Sequence, residues 1–406
     1  MDQTVYTLDP MGANRHAEDA HLRAHGPALR VDLLGQQVWA VADPAVLKAL
    51  LVDPRVSKDA ARHWPRFPEE IVGKWPLALW VGVSNMFTAY GADHRRLRRL
   101  VSPAFAARRV AALAPRIEEM TSALLDTLAA TPRGQSADLR EGFAVPLPIQ
   151  VISSLMGLSE VTRKDFRGVV DAVFDTTLSP EEANANALRL YGILADLVAE
   201  KRETPGDDMT SVLIAARDEE GDGSALTEQE LLDTLLLVIS AGYETTVNLI
   251  DQGITALLAH PGERAKLDAG KAAWRDVVEE TLRFEAPVAH LPLRYAVEDI
   301  ELPGGVTIGR GEAILASYAA ANRHPDLHGE SAETFDITRG LQEHLAFGHG
   351  VHFCLGAQLA RMEAETALSM LFTRFPDLAL APDADLTPME SLISNGHKTL
   401  AVVLQP

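Results

Sequence analysis

The stretch FGHGVHFCLG, Phe347 to Gly356, holds the only cysteine of a 406-residue chain. A sulfur flanked by His349 and His352 is equipped for metal or redox chemistry. Directly after it, Ala364, Ala367, Leu368, Leu371, Phe372 and Phe375 repeat at helical spacing. Cys354 is therefore expected at or just before a helix N-terminus, where free N–H groups and the helix dipole lower a thiol's pKa. Gly348, Gly350 and Gly356 allow tight turns and close approach of backbone to a flat partner.

These residues leave three readings open. Cys354 is an inert buried thiol, or it joins His349 and His352 on zinc, although no second paired cluster completes four ligands, or it is a single axial thiolate on haem iron. Three other groupings stand out. AGYETT, Ala241 to Thr246, puts a glycine, an acid and two hydroxyls inside an apolar run. Gly242 there costs ~1 kcal/mol against alanine, and taken alone the cluster reads as a kink with satisfied hydroxyls. EETLR sets Glu280 and Arg283 at i, i+3, within ion-pairing reach. HRRLR sets His94 and Arg98 on one helical face, with Arg95, Arg96 and Arg99 beside them in an acidic protein.

The elements that position these groups are mostly helical. RVAALAPRIEEMTSALLDTLAA and ANALRLYGILADLVAEKR repeat apolar residues every three or four positions. A long helix begins at a capping box, Thr227 and Glu230, and stops at His260-Pro261. It spans ~50 Å, enough to cross a whole domain. Hairpins are expected in ALRVDLLGQQVWAVADP, around Gly304 and Gly305, and in LISNGHKTLAVVL with Asn395-Gly396 as a tight turn. The expected fold class is mainly α, with small peripheral β-sheets, as one domain over residues 1–406.

Bulk composition narrows the function classes. Hydrophobic residues at 47% and charged residues at 23% fit a globular protein with a sizeable core. A net charge of −20 argues against nucleic-acid binding. The N-terminal sequence shows no basic region followed by an apolar run, and Asp233, Glu244 and Asn248 interrupt the most apolar segment, so no membrane anchor is expected. A single cysteine permits no internal disulfide and fits a cytoplasmic setting.

Phe347, Gly350, Cys354 and Gly356, followed by AQLAR to Arg361, resemble the haem-binding signature of cytochrome P-450 enzymes, and the remaining motifs appear in family order over essentially the whole chain. The resemblance implies haem b with Cys354 as its iron ligand and Phe347 near the sulfur. It implies propionate contacts from His94, Arg98, Arg294 and His352, and a buried Glu280–Arg283 pair joined by Arg339 of FDITR, with Arg323 as a competitor. It implies that Ala241 and Gly242 bind the cofactor, that Gly242 and the threonine open a groove for dioxygen over the iron, and that Glu244 and Thr245 pass protons to the reacting oxygen. Tyr243, where histidine is commoner in bacterial members, is expected to point away from the iron.

The resemblance further implies a monooxygenase that takes O2, with electrons from NAD(P)H through ferredoxin reductase and ferredoxin. Arg95, Arg96 and Arg99 would form the ferredoxin dock. Trp64, Phe67, Trp75, Trp80 and Phe87 form an aromatic-rich region that is core or substrate cover. Family-aligned pocket positions are Phe87, Phe174, Leu178, Ala241, Val288 to Leu291, Leu392 and Ile393. All but His290 are apolar, which implies a medium-to-large hydrophobic substrate of the steroid, terpenoid or polyketide class. Two alternatives remain at this stage: a peroxide-driven peroxygenase of the same fold, and a haem-binding sensor without turnover. Length and motif spelling resemble actinomycete members.

Overall fold

The computed structural model describes residues 5–405 apart from 159, 220, 222 and 340–342. Its architecture is mainly α, with three small sheets among the described residues. The central helix, Glu228–Ala259, is buried along most of its length. Its N-terminus is closed as expected: Glu230 N–H donates to Thr227 Oγ1 at 3.2 Å and Thr227 N–H to Glu230 Oε2 at 2.8 Å. The helices Pro146–Met156, Pro180–Glu203, Trp274–Phe284 and Ala357–Arg374 pack around it.

The polar residues that interrupt the apolar run are satisfied. Asp233 accepts from Tyr191 Oη, from Gln229 Nε2 at 2.9 Å and from Ser84 N–H at 2.5 Å, and its carbonyl accepts from Asn85 at 2.8 Å. A buried carboxylate so partnered anchors the 83–88 loop to the central helix.

The largest sheet has six strands, in the order Tyr6–Thr7, Ala28–Leu33, Gln36–Val41, Ala313–Ser317, His290–Ala296, Val56–Ser57. The first expected hairpin joins Ala28–Leu33 to Gln36–Val41, with positive φ at both Leu34 and Gly35. The second pairs Ile300–Glu301 with Thr307–Ile308.

The third expectation needs correction. Asn395 and Gly396 do not form a two-residue hairpin turn, and neither has positive φ. Instead Met389 N–H bonds Gly396 O at 3.0 Å and Lys398 N–H bonds Thr387 O at 2.9 Å, so the loop is much wider. Tertiary partners hold it open. Asn395 N–H donates to Pro287 O at 2.9 Å, and Arg15 donates to the carbonyls of Ser391, Leu392 and Ser394.

Glu280 and Arg283 are about as buried as charged groups become, at 1% and 0% exposure. Their bond is bidentate, Nε–Oε2 2.8 Å and Nη2–Oε1 2.7 Å. Arg339 brings Nε to 3.5 Å from Glu280, whereas Arg323 is turned to Glu285 and Glu333. Removing one partner of a buried pair strands the other charge, at a cost of about 3–5 kcal/mol. Arg283→Ala is expected to lower the thermal midpoint sharply in circular dichroism and to leave little folded protein. A midpoint equal to the parent's would reject that role for the pair.

Candidate active site

Cys354 sits where the spacing puts it, two residues before the N-cap of helix Ala357–Arg374. The loop is folded back on itself by Cys354 N–H to Phe347 O at 2.9 Å and Gly348 N–H to Leu345 O at 2.8 Å. Gly350 cannot be replaced cheaply. Its φ is +72°, and a Cβ there would lie 2.8 Å from Val52 and 2.9 Å from the carbonyl oxygen of Leu51. The Arg361 guanidinium lies 4.5 Å from the Phe347 ring centre.

The sulfur opens onto an internal cavity rather than the outer surface. This corrects one expectation. Burial pushes the thiol up, even though the N–H groups of Gly356 and Ala357 and the cations Arg98 and Arg361 favour the thiolate. The helix terminus is present, but in the chain alone desolvation outweighs it. His349, His352 and Cys354 do not converge as a zinc site. Among the described residues, the group of three or more potential ligands that does converge is Asp43, His324 and Asp326, elsewhere in the chain.

Across the cavity from Cys354, the central helix contributes Ala241, Gly242, Thr245 and Thr246. Thr245 Oγ1 donates back to Ala241 O at 2.6 Å, and Thr246 Oγ1 to Gly242 O at 3.1 Å. Gly242 has a packing reason beside any groove, since a Cβ there would stand 2.9 Å from Ile152 Cδ1. Glu244 lies one residue before Thr245, on a different helical face, and does not line the cavity. Its Oε1 meets Arg140 at 3.4 Å and Asn248 at 3.1 Å, and burial raises its pKa to about 7 despite the arginine. Tyr243 is fully buried away from the cavity, near Asp171, and burial raises its pKa well above the ordinary phenol value.

One wall of the cavity is cationic. Arg98, Arg294, His352 and Lys58 line it, and His94 stacks behind His352 with ring centres 4.2 Å apart. Burial lowers His94 to about 4, helped by Arg98 and Arg95. Burial also holds His352 far below its ordinary value, helped by Lys58, His94, Arg294 and Arg98. His94 Nε2 and one Arg294 amino group are buried without a hydrogen-bond partner. Buried donors and charges are normally paired, so this wall fits a carboxylated ligand. With a thiol in the floor of the same cavity, the donor set fits haem and its propionates.

The rest of the cavity is apolar. Phe87, Phe174, Val288 and Leu291 line it together with Leu79, Trp80, Val83, Met86 and Val173. Trp80 Nε1 donates to Val173 O at 3.1 Å, and its ring meets Phe174 edge-on at 5.2 Å. Five expected pocket positions lie off this surface, Ala289 among them in a small buried alanine cluster. Leu178 sits in the turn before helix Pro180–Glu203, and Leu392 and Ile393 are sealed into the core beside the large sheet by the Arg15 and Ser391 hydrogen bonds. His290 likewise turns away, to Ser317 and Glu18. The aromatic-rich region divides: Trp64 and Trp75 are core, while Trp80 and Phe87 face the cavity.

Two charged cavity residues carry no motif signal, Lys58 and Glu363. Glu363 lies on the helix after the cysteine, 2% exposed, with Oε1 unpartnered and its pKa raised by burial to about 8. Its helical spacing from Cys354 was readable, but its burial was not.

A cytochrome P-450 family model matches residues 274–401. The chain is 44% identical over 403 residues to the 2-hydroxy-5-methyl-1-naphthoate 7-hydroxylase of Streptomyces carzinostaticus, covering 98% of this chain and 97% of that protein. The structure of CYP154A1 from Streptomyces coelicolor A3(2) is 61% identical, with a TM-score of 0.94 and coverage of 99% and 100%. Testosterone-bound CYP154C4 from Streptomyces sp. ATCC 11861 is 41% identical, with a TM-score of 0.94 and 99% coverage of both chains. The chain belongs to the cytochrome P-450 family, in its bacterial, actinomycete-associated branch of haem-thiolate monooxygenases. It is an enzyme of that monooxygenase type, acting on hydrophobic substrates.

Glu363 generates a prediction with a definite sign. Its folded-state pKa of about 8 lies above the ordinary 4.5. The folded chain keeps a proton that the unfolded chain releases, so this group's contribution falls as pH rises from 4.5 toward 8. Glu363→Gln is expected to flatten the decline of the thermal midpoint across that window. A midpoint-against-pH curve parallel to the parent's would contradict it.

Proposed function

We propose that the chain binds haem b with Cys354 as the iron ligand, and inserts one oxygen atom of O2 into a medium-to-large hydrophobic molecule of the steroid, terpenoid or polyketide class. The observation that carries this is the convergence of three chemistries on one cavity: the Cys354 sulfur, the Ala241–Thr245 face of the central helix, and a cationic wall with unpartnered donors. Bound haem would supply O2 activation, with electron donation from the thiolate favouring O–O cleavage.

The chain's own residues would do the rest. His94, Arg98, Arg294 and His352 would hold the propionates. Thr245 Oγ1, in the cavity wall, would deliver protons to the reacting oxygen. Glu244 would resupply it, because a carboxyl with a pKa of about 7 both accepts and releases protons near neutrality. Its carboxyl is held by Arg140 and lies off the cavity, so the acid would have to reorient to serve the threonine. Trp80, Phe87 and Phe174 would hold the substrate and exclude water. The printed activity of one relative concerns a naphthoate and the bound ligand of another is testosterone. Fused-ring compounds are therefore the first to screen.

Electrons would come from NAD(P)H through ferredoxin reductase and ferredoxin. Arg96 is paired with Glu230 and Arg99 with Asp218, so Arg95 and the exposed apolar Val351 and Phe353 of the cysteine loop would lead the docking face. Among the described residues no helix is long and apolar enough to cross a membrane. A cytoplasmic setting agrees with these electron donors.

The reduced protein under carbon monoxide should show the strongly red-shifted Soret band of a thiolate-ligated haem. A band at the position of a neutral-ligand haem would overturn the ligation. With ferredoxin, reductase and NADPH, Thr245→Ala should keep its haem but divert most reducing equivalents to hydrogen peroxide. Unchanged product per NADPH would remove Thr245 from proton delivery, and equal turnover of the parent on peroxide alone would favour a peroxygenase.

A further inference from the structure

Lys58 is not among the propionate partners that the family resemblance implies, yet it is only 3% exposed and lines the same cavity. Strand pairing explains its position. Val56 and Ser57 pair antiparallel with Ala296 and Tyr295, so the next register places Lys58 opposite Arg294. Like charges directly opposite across two strands repel. The adjacent carboxylate does not relieve them, because Asp59 turns outward to cap the next helix at Arg62 N–H and to pair with the Arg62 guanidinium. Among the described residues Nζ has only weak partners: the carbonyl of Leu293 at 3.5 Å and the face of Phe87 at 3.7 Å. Burial and Arg294 together hold its pKa well below the ordinary value.

We infer that Lys58 is a further carboxylate-binding residue of this cavity, and that the carboxylate it takes is a haem propionate, shared with Arg294 and His352. The inference rests on the haem reading above. An ammonium and a guanidinium facing each other across a strand pair become mutually stabilising once an anion lies between them. The same chemistry would suit a carboxylate on the substrate. The propionate is favoured because Lys58 shares its wall with Arg294 and His352, while Phe87 is the apolar residue it touches.

The test uses purified haem-loaded protein. Lys58→Met is expected to speed haem transfer to excess apomyoglobin by about tenfold or more, the scale of one lost charge-assisted hydrogen bond. It is also expected to lower the haem reduction potential, since a cation near the iron favours the ferrous state. Lys58→Arg should restore both. If Lys58→Met fails to accumulate, Lys58→Gln keeps a donor of similar reach without the charge and should show the same lowered potential. Binding of 1-naphthoic acid and of 1-naphthalenemethanol, followed by the Soret shift, separates the two carboxylate sources. A selective loss of naphthoic acid binding, with haem transfer and potential unchanged, would assign Lys58 to the substrate and overturn the inference. Parental behaviour in every measurement would overturn it as well. Absence of the thiolate-type carbon monoxide band in the parent would instead strike the underlying haem reading.

Discussion

Glu280 and Arg283 meet where water cannot reach, and the cysteine loop hangs from that meeting. Arg283 has donors left after its bidentate bond, and it spends them on the carbonyls of Ala332 and Thr334. Glu280 accepts in turn from Asp336 N–H at 2.9 Å. The irregular segment after residue 322 is thereby fixed to the helix Trp274–Phe284. Asn322 donates to Leu282 O at 3.3 Å and accepts from Leu345 N–H at 2.6 Å. Leu345 then fixes Gly348, and Phe347 fixes Cys354. A backbone with almost no regular structure is thus positioned by one satisfied ionic cluster, which low dielectric makes strong and unforgiving.

The cavity that results has two unlike walls, and each suits a different part of the occupants. Arginine, lysine and two neutral histidines gather where carboxylates must be held. Aromatic and aliphatic residues gather where an oily molecule must lie. Between them stand the sulfur on one side and a threonine on the other. Such division of labour is the usual design of a small-molecule site, with few polar groups fixing orientation and apolar area giving affinity.

Much of this was legible before the fold was known, for identifiable reasons. The capping box at Thr227, the stop at His260 and the helix after Cys354 depend on neighbours within four residues, and local chemistry decides them. The Glu280–Arg283 spacing was equally local, although its burial was not. What escaped were effects set by distant chain. The Asn395-Gly396 turn reads as a tight hairpin, but Arg15 and the carbonyl of Pro287 hold it open. The thiol's environment was read from its helix terminus, yet desolvation by the surrounding protein is larger. Lys58 and Arg140 carry no motif signal: distant strand pairing sets Lys58 against Arg294, and tertiary packing brings Arg140 to Glu244. Leu178, Leu392 and Ile393 have the right polarity for a pocket wall, but polarity cannot say which side of a loop faces inward.

The roof of the cavity is made by two segments from far apart in the chain, 80–87 and 173–174. The Trp80 indole bond to Val173 and an edge-on ring contact with Phe174 join the two segments to each other, and the Asp233 bonds to Ser84 and Asn85 tie 83–88 to the central helix. Each of the two Trp80 contacts is worth on the order of 1 kcal/mol. The floor, by contrast, is tied down by buried ionic bonds. The seam between the two segments is therefore easier to part than the floor. A seam of that kind would let bulky guests pass without disturbing the side that carries Cys354.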